Sequence, residues 1–429
     1  MDVEPKGYKL DVEPTRKSFR NYLFFWGGQL FSLLGSMVVH FILVWWIEIE
    51  TESPTFLSLG QFFYFLPIIL FMPIAGVLSD KWKRKSIILT ADSLQAFTTF
   101  ILILFFIFDA VNIWIIFMFI GIRSIFQAFH QPTVAAIVPS MVPKDKLSRI
   151  NGITYLFIGL VQLLGPGIGA LLLQFFTIGE ILWVDVITFF IALIPLLLIS
   201  IPVIREEKKV KEKSYFIKDF KEGIVILKAI PGLIILLFMG MLVNFFIQPL
   251  GTLLPYFIYT IHGGGVIEYA LVVIFLQAGV MVGAFFTSIK REWKHKIVVS
   301  FIGIGIAGVG YAFLAYAPIG FFFYIGIVLM IMGFVLPIIN TIYQTILQTT
   351  VPHNKLGRVT SIDNTLSMVI TPLATILAGP IAELIGIHNL FFFSALAIII
   401  ITVSLYLFTG IRHVDYDKYI EEVKQNSTD

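Results

Sequence analysis

Twenty-nine of the 30 Lys and Arg residues in this 429-residue chain fall in polar breaks or near its ends; the exception is Arg123, inside the apolar run IWIIFMFIGIRSIFQAFHQ. A guanidinium in such surroundings can grip an anionic group with two parallel hydrogen bonds or set the charge balance of a proton site. Gln29 and Gln162 sit at comparable depth in other apolar runs and are the expected hydrogen-bond partners. The acids are less conveniently spaced. Asp185 is expected about four residues from one end of its run and Asp92 about seven from the other end of its own, which leaves Arg123 without an evident counter-acid. Asp363 reads as a cap on a helix start. Asn244 and Gln248 form one set spaced by four, and Asn340, Gln344 and Gln348 another. Each set occupies one helix face, and uncharged amides among aromatic residues suit a large amphipathic ligand or interhelical packing.

The elements that hold these residues are set by composition. The chain is 58% hydrophobic and 13% charged, against about 25% charged in soluble domains, and its mean hydropathy is +0.92. Runs long enough to cross a bilayer recur near residues 20–47, 56–78, 86–108, 112–131, 149–176 and 181–201. Six more follow near 230–260, 267–289, 297–316, 320–348, 358–386 and 388–409. The expected fold is all-α and integral to the membrane, with twelve transmembrane helices. If the spans alternate, every Lys and Arg except Arg123 lies on one side, while the opposite loops carry Glu48, Glu50, Glu52, Asp109, Glu180 and Glu268. The positive-inside rule then puts both termini in the cytoplasm.

Residues 205–228 form the long polar break. They separate a cytoplasmic segment (1–20) and a first six-helix bundle (21–204) from a second bundle (229–409) and a tail (410–429). The halves echo each other. Val142-Pro143-Lys144-Asp145-Lys146-Leu147-Ser148-Arg149 recurs as Val351-Pro352-His353-Asn354-Lys355-Leu356-Gly357-Arg358, and Gly76-Val77-Leu78 with Lys83-Arg84 recurs as Gly283-Ala284-Phe285 with Lys290-Arg291, at nearly one offset. Parallel repeats of this kind place a binding site between two pseudo-symmetric bundles and point to alternating access.

Other chemistries are excluded or disfavoured. There is no cysteine, and the seven histidines have no i, i+4 pair, so neither thiolate nor zinc chemistry is expected, and no cofactor. Gly303-Ile304-Gly305-Ile306-Ala307-Gly308 fits a dinucleotide fingerprint but lies within a span, without a preceding strand. No phosphate-binding loop occurs, so active transport must draw on an ion gradient or a partner ATPase. A membrane-embedded enzyme or receptor finds no supporting constellation. The expected partners are a small-molecule substrate, the lipid bilayer and no nucleic acid, with the chain a monomer.

Gly76-Val77-Leu78-Ser79-Asp80-Lys81-Trp82-Lys83-Arg84-Lys85 resembles the signature of the major facilitator superfamily, with Lys83 in place of its second glycine. Ile122-Arg123-Ser124, Phe129-His130-Gln131-Pro132, Val142-Pro143, Asn151-Gly152, Val184-Asp185-Val186 and Leu356-Gly357-Arg358-Val359 are similar to its macrolide-efflux branch. The resemblance implies a central cavity lined by the first, fourth, seventh and tenth spans, and export of lipophilic or amphipathic compounds from the cell in antiport with protons. It also implies a conformational gate of Gly76, Asp80, Arg84, Arg149, Arg358 and Asp363, with Asp80 near Thr360 and Ser361. Gly165, Pro166 and Gly169 resemble the core of an antiporter motif, whose upstream glycine spacing is not kept. The alternative in the same fold is an exporter or flippase for an anionic amphiphile such as a siderophore or lysophospholipid, favoured by an unpaired Arg123.

Overall fold

The computed structural model describes residues 14–201, 224–290 and 293–416, and the greater part of the central loop falls outside them. Lipid offers no partner to a backbone N–H or C=O, so apolar runs of this length satisfy their own backbone as helices. The first half holds α1 (Arg16–Thr51), α2 (Pro54–Lys81), α3 (Arg84–Ile107), α4 (Ile113–Met141), α5 (Leu147–Leu172) and α6 (Ile178–Leu198). The second holds α7 (Leu233–Ile261), α8 (Val266–Ile289), α9 (Lys296–Ala315), α10 (Phe322–Thr350), α11 (His353–Ile385) and α12 (Ile387–Phe408). All twelve are long and apolar enough to cross a membrane.

Three helices outrun their expected limits. The sequence suggests that α4 stops before Pro132, yet it continues through Pro132 and Pro139 to Met141. Proline removes one N–H and bends a helix, but packed neighbours in a membrane compensate for the freed carbonyl. Arg123 therefore sits ten residues from Ile113 but eighteen from Met141, rather than midway. The start of α4 is fixed by Asn112, whose side chain accepts from the Ile115 N–H at 3.0 Å. Helix α1 runs on to Thr51, which takes Glu48 out of its expected loop. Helix α11 begins at His353, so Asp363 lies ten residues inside it and is no cap.

Contacts divide the chain into two compact units. One is Met1–Leu43 with Phe63–Lys213; the other is Val44–Phe62 with Ser214–Asp429. The division falls within residues 205–228, and the end of α1 and the start of α2 group with the second half. Trp45 lies flat over Tyr269 at 5.8 Å between ring centres and edge-on to Tyr259 at 5.4 Å. Glu48 is fully buried there, with Oε1 accepting from Thr260 at 2.5 Å and Oε2 unpartnered. Ser53 donates to Glu383 at 2.8 Å.

Within the first unit α1 is the hub. A Cβ at Gly28 would lie 3.2 Å from the Cα of Ala192, and one at Gly35 would lie 3.2 Å from the Cα of Asp185, so both glycines admit α6 to close range. On another face, Gly165 and Gly169 of α5 abut Met37 and Phe41, at 2.9 and 2.8 Å from their built Cβ positions. Small residues of this kind let membrane helices approach backbone to backbone. Where the loops are basic, Lys85 donates to the carbonyls of Leu197 (2.9 Å) and Ile199 (2.7 Å), and Arg84 donates to Ala136 (2.7 Å). Lys85 thereby satisfies carbonyls that the C-terminus of α6 leaves open, and Arg84 ties the start of α3 to α4.

The second unit contains a tighter seam. A Cβ at Gly279 or Gly283 of α8 would fall 2.1 or 2.2 Å from the carbonyl oxygens of Met330 or Phe334, and one at Gly333 of α10 would fall 2.4 Å from that of Leu276. Backbone cannot step aside as a flexible side chain can. Gly279→Val or Gly333→Val is therefore expected to cost at least the ~1–3 kcal/mol of an overpacked core, seen as a lowered Tm in detergent. Gly305→Val, whose Cβ meets open space, should leave Tm close to the parent value.

Candidate functional site

The first unit contains a buried polar knot contributed by α1, α3, α4 and α6. At its centre is Asp185 of α6, 4% exposed. Its Oδ2 accepts from Arg123 Nη1 at 2.5 Å and from Thr99 Oγ1 at 2.6 Å, and its Oδ1 accepts from Ser36 Oγ at 3.0 Å. Arg123 also contacts the Thr99 hydroxyl. Gln95 Nε2 donates to Ser36 at 2.8 Å, extending the knot along α3. The close approach at Gly35 brings the next residue, Ser36, within reach of the carboxylate. A cavity of about 40 Å³ beside the guanidinium is lined in part by His40, Tyr64, Gln95 and Gln127, room for roughly three waters. His40 packs its ring 4.4 Å from that of Tyr64.

Seven residues along three of the same helices lies a second cluster. Gln29 precedes Ser36 on α1, Asp92 precedes Thr99 on α3, and His130 follows Arg123 on α4. Seven residues are close to two turns, so both clusters share one face of each helix, about 10 Å apart. His130 Nε2 lies 2.7 Å from Gln29 Oε1 and 3.3 Å from Asp92 Oδ1, and Gln29 Nε2 donates to Asp92 Oδ2 at 3.3 Å. Asp92 and Gln29 are 8% and 5% exposed. This cluster is the nearer to the basic loops, and Arg123 and Asp185 are the nearer to the acidic ones.

Residues 25–375 match the Major Facilitator Superfamily. The chain belongs to this superfamily of transporters. It is 26% identical over 390 residues to macrolide efflux protein A of Streptococcus pyogenes, covering 91% of this chain and 96% of that protein. To the multidrug efflux pump Tap of Mycolicibacterium fortuitum it is 24% identical over 82% of this chain and 86% of the pump. The fold agrees: the solved nucleoside transporter NupG superposes with a TM-score of 0.67 at 14% identity, over 90% of this chain and 98% of that one. This protein is therefore a twelve-span transporter of the major facilitator fold and not an enzyme.

Several expected partnerships change within this superfamily fold. Arg123 does have a counter-acid, Asp185, because α6 packs directly on α1 and α3. Gln29 serves Asp92 and His130 rather than Arg123, and Gln162 is exposed on α5. His130 enters the site although its sequence context marks it only as part of a family motif. Its offset of seven from Arg123 was the available signal. Asp363 is buried and accepts from Tyr343 of α10 at 2.5 Å. In the superfamily signature Gly76 is half-buried with open space at its Cβ position, Arg84 and Lys85 hold helix ends, and the side chains of Asp80 and Arg358 lie outside the described set. Arg149 is exposed.

Asn244, Asn340, Gln344 and Gln348 are exposed and Gln248 is half-exposed; none has a side-chain hydrogen bond among the described residues. Asn340 and Gln344 lie seven and eleven residues beyond Gly333, on nearly the same face of α10. They are uncovered because α8, in register through Gly283 and Phe334, ends at Ile289.

A buried pair that loses one partner leaves a bare charge. Asp185→Ala should destabilise the protein by about 3–5 kcal/mol, while the double variant Asp185→Leu with Arg123→Met should recover most of that loss. Thermal unfolding in detergent micelles measures both.

Proposed function

We propose that this protein is a secondary active exporter of lipophilic or amphipathic compounds of the macrolide type, working at the cell membrane by alternating access and exchanging substrate for protons. The observation that carries the reading is the cancelled ion pair Arg123–Asp185 deep in the first unit; the second unit has exposed and uncommitted amides. A paired arginine does not select for anions, which removes the feature favouring an anionic amphiphile. Asn244, Gln248, Asn340 and Gln344 offer hydrogen bonds without net charge. Phe245 and Phe246 flank one of these sets and supply apolar area for a bulky ring system. The similarity to efflux proteins from two organisms supports both substrate class and direction. The lack of a phosphate-binding loop in the sequence supports an ion gradient as the source of energy.

With the basic loops in the cytoplasm, the amides on α10 lie toward the side from which an exporter collects its load. Arg123 and Asp185 lie toward the release side. The join of Trp45 and Glu48 to α7 and α8 is the contact that must part for release.

Orientation is tested on intact cells: Ala110→Cys should react with an impermeant thiol reagent and Asp145→Cys should not, and the chain's own lack of cysteine gives a clean background. Transport is tested in proteoliposomes loaded with radiolabelled erythromycin, where an imposed pH gradient should drive flux. Arg123→Gln should lower that flux by at least about tenfold, equivalent to ~1.4 kcal/mol. Flux indifferent to the pH gradient in the parent protein would overturn proton coupling.

A further inference from the structure

The two polar clusters have matching spacing and different chemistry. The cluster nearer the acidic loops pairs its carboxylate with an arginine, whose charge is permanent. The other pairs its carboxylate with a histidine, the side chain whose ordinary titration falls between pH 5 and 8. Among the described residues Asp92 has no Lys or Arg within ion-pair distance; its ionic partner is His130 at 3.3 Å. Gln29 closes the ring. Its amide N–H donates to Asp92 Oδ2, and its carbonyl then accepts the Nε2–H of His130. That assignment puts one imidazole proton on Nε2 and leaves Nδ1 to gain or lose the other.

We propose that His130, Gln29 and Asp92 form the site at which this transporter binds the proton it exchanges for substrate. The proposal rests on the export reading above and adds the location of the coupled ion. With a proton on Nδ1 the imidazolium and the Asp92 carboxylate cancel. With that proton on neither His130 nor Asp92, a neutral ring stands beside a buried carboxylate, a net negative charge at a place 8% exposed. Burying one unpaired charge costs several kcal/mol, so the deprotonated ring favours an arrangement that readmits water. Proton occupancy is thereby tied to which arrangement of helices is stable.

Among the described residues no other group on the elements packed here can play this part. On α4 and α6, Arg123 and Asp185 neutralise each other one layer away. On α3, Arg84 and Lys85 are committed to main-chain carbonyls at its start. On α1, Tyr22 is buried in the apolar cluster with Phe25 and Ile137, and His40 faces Tyr64 of α2 in the other layer. Gln29 does not ionise and serves as the positioning residue that keeps imidazole and carboxylate together.

The test uses the full-length protein in two assays. In nanodiscs, protein labelled with ¹⁵N-histidine is titrated by NMR, with the His130 signal assigned by its loss in His130→Gln. The His130 signal should respond to pH, and Asp92→Asn should change that response. In proteoliposomes, His130→Gln should lower uphill erythromycin transport driven by a pH gradient at least about tenfold, while erythromycin exchange without a gradient stays within about twofold of the parent. Retained uphill transport would overturn the proposal, as would loss of exchange together with it, or a His130 signal unmoved by pH or by Asp92→Asn. If the parent moves no erythromycin, the export reading fails, and the titration still decides whether the proton site exists.

Discussion

The first unit is organised by a requirement of the hydrocarbon interior: a guanidinium placed there must have its charge cancelled and its N–H groups received. Asp185 meets most of that requirement for Arg123, with Thr99 and Ser36 sharing the carboxylate's remaining lone pairs. Four helices must be mutually aligned for this to hold. The glycines of α1 are the means, since α6 can bring its acid close only where α1 has no side chain. Polar satisfaction and small-residue packing are thus one constraint here. A wedge at Gly35 would strain the seam and the ion pair together.

How much of this was legible in the sequence follows from the range of each signal. Twelve spans are legible because hydropathy is local and a bilayer admits only long apolar helices here. Arg123 is conspicuous for the same reason, being a charge where the surrounding twenty residues have none. Its partner was not legible. Asp185 lies 62 residues away on another helix, and a helical wheel states which face a residue occupies but not which helix faces it. The early stop assigned to α4 at Pro132 shows a second limit, since a soluble-protein rule for proline loses force where neighbours repair the backbone. Glu48 shows a third: a cluster of acids reads as a loop, yet α1 continues through it to Thr51 and buries the first of them.

The basic loop of the superfamily signature also gains a physical account. Arg84 and Lys85 reach carbonyls of α4 and of the end of α6, so they stitch three helices at one rim of the first unit. A run of cations there records topology and also supplies the donors that helix C-termini lack. In the second half the echoed Lys290 lies over the Trp293 ring at 3.9 Å.

The glycine seam between α8 and α10 is confined to the stretch around Met330 to Phe334, whereas the exposed amides begin at Asn340, past the end of α8. Anchorage and chemical display thus occupy successive lengths of a single helix. Substitutions at Asn340, Gln344 or Gln348 alter what α10 presents without touching the backbone contacts that hold it. If these amides meet the substrate as proposed, ligand spectrum can drift under selection while the scaffold stays intact, an evolvability built into the place where one helix outlasts its neighbour.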